Sequence, residues 1–279
     1  MKHLAVILQL IRPANVVIAA GAVLVGALSS GVRPHEGPVL LACLVAGLIT
    51  AGGNAINDVC DVDIDRVNKP RRPLPSGRLS RARAGVLGTI LLVLGVGIGP
   101  ALGFRGWIVA LAVALLLVAY SVRLKRTVLW GNLTVALAAG LAFVYGGIAA
   151  GRPGPALIPA GFAFLFHLGR EILKDAQDVA GDRAGGARTL PAVAGVAEAL
   201  GWAGLVFILL IMVSPLPFVF GYYSLWYVII VVLGVDVPLI RIILSSRRDR
   251  TPDHLGKLSL LLKLDMWVGL AAILAGVWL

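Results

Sequence analysis

Two groups of polar side chains share one spacing and could bind a common ligand from two sides. The first group is Asn54, Asp58, Asp61 and Asp65, and the second is Glu171, Asp175, Asp178 and Asp182. In both groups the steps are four, three and four residues, so on a helix each group falls within about 60° of arc. Asn57 lies at the edge of the first stripe, whereas Asp63 points away from it. We predict that the two stripes face each other across a central cavity.

The composition of the two groups predicts metal-assisted phosphate chemistry. Neighbouring carboxylates repel each other, and burying them without cations is costly. Carboxylate and amide oxygens suit hard divalent ions, Mg²⁺ especially. Mg²⁺ usually binds only a few protein ligands, because substrate phosphates occupy some of its coordination positions. Each group is followed by basic residues and an Arg-x-Leu-Pro sequence, at 72–75 and 188–191. The pattern therefore predicts a diphosphate site in which basic groups take the charge of the leaving group.

The chain that carries these groups has the composition of a membrane protein. Of its 279 residues, 59% are hydrophobic and 14% are charged, whereas soluble domains average about 25% charged residues. We predict an all-α integral membrane protein whose transmembrane helices form a bundle around a central cavity. Nine apolar runs have about the length of 20 residues that crosses a bilayer. They are 14–32, 38–57, 84–103, 106–122, 130–150, 154–173, 192–214, 221–243 and 258–278.

These runs leave no stretch for a separate soluble domain. Residues 1–279 are therefore predicted to form a single polytopic domain, with the first acidic motif at 54–65 and the second at 171–182. Because the two motifs share one spacing, we expect two pseudo-repeated halves.

The basic residues predict the orientation of the chain in the membrane. With the N-terminus inside, 22 of the 25 Lys and Arg residues fall in inner segments, and the outer loops hold Arg33, Arg105 and Arg152. By the positive-inside rule, the N-terminus and both acidic groups lie on the cytoplasmic side and the C-terminus lies outside. Topology and attraction to anionic lipid explain most of the net charge of +11, so we expect neither nucleic acid nor an obligatory protein partner.

The motifs resemble those of a known family. "NDVCDVDID" at 57–65 is similar to the first Asp-rich motif of the UbiA-type intramembrane prenyltransferases, and "DAQDVAGD" at 175–182 is similar to the second. Within that superfamily, "DRVNKPRRPLPSGRLS" at 65–80, "YSVRLKR" at 120–126 and "REILKDAQDVAGDRAGGARTLP" at 170–191 resemble the archaeal digeranylgeranylglyceryl phosphate synthase subfamily. The resemblance implies nine helices around a cavity that opens sideways to the lipid.

The resemblance also implies roles for individual residues. A Mg²⁺-bound prenyl diphosphate would lie between the motifs, and Asp58, Asp61, Asp178 and Asp182 would be central to catalysis. The metal ligands would be Asn57, Asp58, Asp61, Asp65, Asp175, Asp178 and Asp182, and Asn54 joins them by spacing alone. Lys125, Arg12 and Arg66 are candidates for contacts to the diphosphate.

The leading hypothesis for function is prenyl transfer to a lipid phosphate. A geranylgeranyl group would move from its diphosphate to the sn-2 hydroxyl of geranylgeranylglyceryl phosphate, which makes the second ether bond of archaeal lipids. Arg71, Arg72 and Arg78, in the basic loop 66–83, would suit the phosphate of that acceptor.

Two alternatives stay open, and a third does not fit. An aromatic acceptor, as in quinone, haem or chlorophyll tail attachment, would need the same chemistry. A cation transporter could also use facing acidic helices, although the motifs lie at the membrane edge rather than at mid-span. A CDP-alcohol phosphotransferase is excluded because Val59 and Cys60 follow the first aspartate, where that family has Gly.

Overall fold

The computed structural model describes residues 2–31, 33 and 35–279, and in these residues every regular element is a helix. In the first half the helices are α1 Lys2–Ile11, α2 Pro13–Leu28, α3 Glu36–Cys60, α4 Val62–Asn68, α5 Arg81–Ile98, α6 Gly103–Val122 and α7 Trp130–Ala149. In the second half they are α8 Pro153–Ala184, α9 Leu190–Ala194, α10 Val196–Val213, α11 Leu216–Val219, α12 Leu225–Val231, α13 Val237–Arg248 and α14 Pro252–Trp278. A π-helical turn, Val232–Asp236, joins α12 to α13.

The helices confirm a multi-pass membrane protein, although they do not confirm the predicted number of spans. Within the described ranges, seven helical segments are long and apolar enough to cross a bilayer, or eight if the bent pair Leu4–Ile11 and Pro13–Leu28 forms one span. This count takes Arg81–Val122 as one segment of 42 residues. The 3₁₀ turn Gly99–Leu102 divides that segment into α5 and α6, as the two predicted runs there require. The count of nine therefore stays a prediction, and the end of the first predicted span, residue 32, lies outside the described residues.

A break between α1 and α2 places Arg12 at the edge of the bundle core. Proline disfavours the helical conformation of the residue before it but is well suited to the first position of a helix. α1 accordingly ends at Ile11, α2 begins at Pro13, and the two helices differ in direction by 49°. Arg12 between them has a φ of 55°, which is rare for a residue with a side chain.

Glycines bring α2 and α7 unusually close together. A Cβ atom at Gly26 would lie 2.1 Å from the carbonyl oxygen of Phe143, and one at Gly146 would lie 1.8 Å from that of Val23. Only glycine permits such an approach, and small residues are a common basis of packing between membrane helices. Because α7 also packs on α8, this contact links the two halves of the chain.

The two acidic motifs are built differently. The second motif lies entirely on α8, which continues without a break to Ala184. The first motif is interrupted, because α3 ends at Cys60 and α4 begins at Val62, with Asp61 between them. The prediction that the first stripe lies on one continuous helix is therefore wrong at its end. Asp competes with helical hydrogen bonding and favours helix ends, which is a physical reason for the break at this position.

Candidate active site

A cavity of about 600 Å³ lies inside the bundle and reaches both acidic motifs. Its polar lining includes Asn54 and Asn57 from α3, Asp178 from α8, and Lys69 and Arg72 from the loop that follows α4. Most of the remaining wall is apolar and comes from α2, α6, α7, α8 and α14. The volume is typical of ligand sites, which range from about 300 to 1,000 Å³.

The side chain of Asn68, which lies just after the first motif, binds the backbone of the second motif. Its Nδ2 donates to the carbonyl oxygen of Asp178 at 3.0 Å, and its Oδ1 accepts from the N–H of Gly181 at 3.1 Å. Lys69, the next residue, forms an ion pair with the Asp178 carboxylate. The end of α4 thus docks on α8, and the two acidic motifs lie on opposite sides of one contact.

In the first motif, basic residues from other parts of the chain neutralise the carboxylates. Asp58 Oδ1 accepts from Arg12 and, at 3.2 Å, from Arg72. The same Nη1 of Arg72 lies 2.6 Å from Asp65 Oδ2. Lys125 forms an ion pair with Asp61, and its Nζ lies 3.4 Å from Asn57 Oδ1.

The pair Asp65–Arg72 lies outside the membrane-spanning helices and shows how burial affects the site. Burial raises the pKa of the Asp65 carboxyl above its ordinary value, and the Arg72 guanidinium opposes that rise. Burial also lowers the pKa of Arg72, but the carboxylates of Asp58 and Asp65 outweigh it and hold that pKa above its ordinary value. Arg72 therefore stays positively charged beside two buried acids.

In the second motif, neutral side chains bind two of the aspartates. Asn132 Nδ2 on α7 donates to Asp175 Oδ2 at 2.7 Å, and Thr189 Oγ1 donates to Asp182 Oδ2 at 3.1 Å. Glu171 is bound by cations instead, since Arg170 Nη1 lies 2.9 Å and Lys174 Nζ lies 2.7 Å from its oxygens.

The candidate basic residues divide into two sets. Arg12, Arg72 and Lys125 reach the motif carboxylates. Arg66 is 65% exposed and pairs with the exposed Asp63 at 2.9 Å. Arg71 and Arg78 are exposed on the loop and do not line the cavity, so the structure does not bring them to the site.

Several polar residues of the site were not predicted. Lys69 carried a signal, because it follows Asp65 by four residues and a cation at that spacing commonly meets an acid one turn away. It binds Asp178 of the other motif instead. Asn68 and Thr189 lie in the stretches 65–80 and 170–191 that resemble the family, but they were assigned no role there, and neither was Asn132, since neutral polar residues near a helix end or a loop are common.

The oxygen ligands fit a divalent metal that is shared with a substrate. Within the described ranges, no three His, Cys, Asp or Glu side chains lie close enough together to hold a metal ion unaided. Mg²⁺ is usually bound by one or two carboxylates together with substrate phosphates, so a complete protein cage is not needed. Asp58 Oδ2 is buried and has no hydrogen-bond partner among the described residues, so one acceptor of the first motif is free.

Comparison with known proteins agrees with this geometry. Residues 16–277 match the profile of the UbiA prenyltransferase family. The chain is 38% identical to the digeranylgeranylglyceryl phosphate synthase of Methanothermobacter thermautotrophicus over 269 residues. The matched stretch covers 96% of this chain and 95% of that protein.

Solved structures share the fold over nearly the full length. A structure from work on digeranylgeranylglyceryl phosphate synthase in membranes has a TM-score of 0.77 at 32% identity and covers 99% of both chains. A UbiA homologue from Archaeoglobus fulgidus bound to GPP and Mg²⁺ has a TM-score of 0.73 at 21% identity, over 96% of this chain and 99% of that one. The latter likeness shows the fold alone. From the match over residues 16–277 and the relative at 38% identity, the chain belongs to the UbiA prenyltransferase family and is a membrane-embedded prenyltransferase.

Proposed function

We propose that this enzyme transfers a geranylgeranyl group from geranylgeranyl diphosphate to the sn-2 hydroxyl of geranylgeranylglyceryl phosphate. The observation that carries the proposal is the cavity, which has a charged end at the two acidic motifs and largely apolar walls beyond it. The charged end suits a diphosphate, and the apolar walls suit a C20 chain. The relative from Methanothermobacter thermautotrophicus, a digeranylgeranylglyceryl phosphate synthase, supports this choice of acceptor.

The two motifs hold a divalent metal in this proposal, with Mg²⁺ as the ion. The ligands would be Asn54, Asn57, Asp58, Asp61, Asp65, Asp175, Asp178 and Asp182, with Asp58, Asp61, Asp178 and Asp182 as the catalytic set. Asn54 Nδ2 donates to the Ile11 carbonyl at 2.9 Å, so its amide oxygen is the atom that would face the metal. When bound, the metal would neutralise the diphosphate and make it a better leaving group. The Archaeoglobus fulgidus homologue bound to GPP and Mg²⁺ supports this choice.

The reaction begins at the bond between C1 of the prenyl group and the diphosphate oxygen. When that bond breaks, its electrons leave with the diphosphate and C1 becomes part of an allylic cation. Arg12 and Lys125, together with Lys69 and Arg72, would stabilise the charge that develops on the leaving group. The oxygen of the acceptor hydroxyl then bonds to C1 and loses its proton, so the products are an ether, diphosphate and one proton.

Aromatic rings in the cavity wall suit the cation. Phe143 on α7 and Phe162 and Phe166 on α8 all line the cavity. Aromatic faces attract cations by about 0.5–2 kcal/mol while excluding water. They would therefore protect the allylic cation from hydrolysis until the acceptor reacts.

The domain organisation of the enzyme and its orientation in the membrane are also part of the proposal. The chain would act as one domain over residues 1–279, with its N-terminus and active site on the cytoplasmic side and its C-terminus outside. The distribution of basic residues supports this orientation.

A transfer assay tests the function directly. The full-length protein in nanodiscs of neutral lipid would receive radiolabelled geranylgeranyl diphosphate, Mg²⁺ and either geranylgeranylglyceryl phosphate or an aromatic acid. Transfer to the lipid phosphate, lost with EDTA and restored by Mg²⁺, supports the proposal. Transfer only to the aromatic acid overturns the acceptor assignment, and metal flux in proteoliposomes without any transfer overturns the enzymatic one.

A further inference from the structure

A second group of charged residues lines the cavity around Glu171, the first residue of the second motif, and within the described residues its cations form no ion pair with the motif aspartates. Arg170 and Lys174 on α8 both bind Glu171, at 2.9 and 2.7 Å. Lys263 on α14 lies across from them, and its Nζ donates to Asn15 Oδ1 on α2 at 3.2 Å. Arg170, Glu171, Lys174 and Lys263 all line the same cavity as the motifs.

This group, which we call the basic cluster (Arg170, Glu171, Lys174 and Lys263), has an excess of positive charge. It holds three cations and one carboxylate, and in the part of the chain that the structure describes Lys263 makes no ion pair. Excess charge inside a membrane bundle is costly, so ionisable residues there commonly bind a ligand or ion.

A buried donor that has no partner in the described part of the chain indicates an anionic ligand. Arg170 is only 8% exposed, and its Nε is buried and finds no acceptor. Since a guanidinium carries five N–H donors in a planar fork, one carboxylate does not satisfy it, and the remaining donors match a phosphate well.

The cations that bind the motif aspartates are in a different situation. Lys69 is paired with Asp178, and Arg72 with two aspartates of the first motif. The three cations and one carboxylate of the basic cluster have a net charge of about +2, which is similar in magnitude and opposite in sign to the charge of about −1.5 to −2 that a phosphate monoester carries near neutral pH. Along α8, Lys174 precedes Asp178 by four residues and Arg170 by eight, or about 6 and 12 Å.

We propose, on the basis of the function proposed above, that Arg170, Lys174 and Lys263 bind the phosphate monoester of the acceptor. Glu171 would act as a positioning residue that holds Arg170 and Lys174 in place. In geranylgeranylglyceryl phosphate, one carbon and one oxygen separate the carbon that bears the sn-2 hydroxyl from phosphorus. A phosphate held one to two helical turns from the motifs would therefore place that hydroxyl toward C1 of the donor. The exposed loop residues Arg71 and Arg78 are not needed for this contact.

Steady-state kinetics in neutral-lipid nanodiscs test the proposal, with Lys174→Gln and Lys263→Gln as variants and Lys257→Gln as the control. Lys257 lies on α14 like Lys263, but it is exposed and does not line the cavity. Loss of one charge-assisted hydrogen bond to phosphate should raise the KM for geranylgeranylglyceryl phosphate about tenfold or more. The KM for geranylgeranyl diphosphate should change less than about twofold, and the control should leave both values unchanged.

Two further measurements identify the source of the phosphate. With geranylgeranylglycerol, which lacks the phosphate, the variants should react as fast as the wild type. Without donor or metal, the lipid phosphate should raise the thermal stability of the wild type and of Lys263→Arg but not of Lys263→Gln. Lys263→Arg keeps the positive charge. If the lipid phosphate stabilises this variant but not Lys263→Gln, the glutamine variant has lost the bound phosphate and not its fold.

Several results would contradict the proposal that the basic cluster binds the phosphate of the acceptor. An unchanged acceptor KM in both glutamine variants would do so, and so would a rise confined to the KM of geranylgeranyl diphosphate, which would assign these cations to the donor. If the glutamine variants lose as much activity with geranylgeranylglycerol as with the lipid phosphate, the two lysines have a role that does not depend on the phosphate. If instead the wild type transfers nothing to the lipid phosphate, the proposed function fails, and that outcome is recognised without any variant.

Discussion

Asn68→Ala tests whether docking of α4 on α8 assembles the active site. Asn68 makes two hydrogen bonds to the backbone of α8, at 3.0 and 3.1 Å, and each contributes about 1 kcal/mol net. Their loss would weaken docking by about 2 kcal/mol, which corresponds to an equilibrium constant about 30-fold smaller. We expect kcat/KM for geranylgeranyl diphosphate to fall by up to that factor at low Mg²⁺. High Mg²⁺ should restore part of it, because a metal shared by both motifs would itself hold them together.

The assay is the transfer reaction, measured as initial rates over a range of donor and Mg²⁺ concentrations. Asp63→Ala is the matched control, because Asp63 lies on the same short helix, has a side chain that is 81% exposed and pairs with the exposed Arg66. Its rates should stay within about twofold of the wild type, since an exposed ion pair contributes about 0–1 kcal/mol. Thermal unfolding of each variant shows whether the protein is still folded.

A double-mutant cycle with Gly181→Ala tests whether Asn68 acts through its contact with α8. A Cβ atom at Gly181 would lie 2.3–2.5 Å from the side-chain atoms of Asn68, so this single substitution should also impair docking. In Asn68→Ala/Gly181→Ala the smaller side chain leaves room for the added methyl group, so the combined loss should be smaller than the sum. Additive losses, or an Asn68→Ala enzyme with wild-type kinetics at low Mg²⁺, would show that this contact does not assemble the site.

Three other predictions concern the motifs, the diphosphate and the helix packing. Asp61→Ala and Asp178→Ala should each abolish transfer in protein that still inserts and folds, and near-normal activity in both would mean that the motifs do not hold the metal. Lys125→Gln should lower kcat/KM for geranylgeranyl diphosphate about tenfold, the effect of one charge-assisted hydrogen bond, and an unchanged value would remove this residue from the diphosphate site. Gly26→Ala should cost about 1–3 kcal/mol of stability in a thermal unfolding assay, because its Cβ would lie 2.1 Å from a carbonyl oxygen of α7. Gly21→Ala on the same helix is the control, since its Cβ would make ordinary contacts from 3.5 Å outward, and equal melting temperatures for the two variants would contradict the close approach.

Much of the fold followed from local patterns in the sequence. Hydropathy predicted a helical membrane protein because a chain in lipid must satisfy its backbone hydrogen bonds within each helix. The acidic spacing predicted which residues share a helix face, and for the second motif α8 carries all of them. The break at Asp61 was not predicted, because a single residue of low helix propensity does not by itself end a helix.

The partners of the charged residues could not be predicted in the same way. Arg12 and Arg66 were equivalent candidates by sequence, yet Arg12 binds Asp58 and Arg66 lies exposed beside Asp63. The difference arises from the break before Pro13, which turns Arg12 toward α3. Lys263 had no motif around it, and only the position of α14 beside α2 and α8 brings it into the cavity.

The sequence by itself determined that the chain crosses a membrane as helices, that it carries two matched acidic motifs, and that these resemble one prenyltransferase family. These properties are encoded in composition and in spacings of a few residues, and such local patterns do not depend on how the rest of the chain packs. Only the tertiary structure decided that Lys69 meets Asp178, that Asn68 joins α4 to α8, and that Lys263 of α14 lines the same cavity as Arg170 and Lys174 of α8. Such contacts depend on how helices far apart in the chain pack, and that packing is set by the shapes of many side chains together rather than by any short pattern.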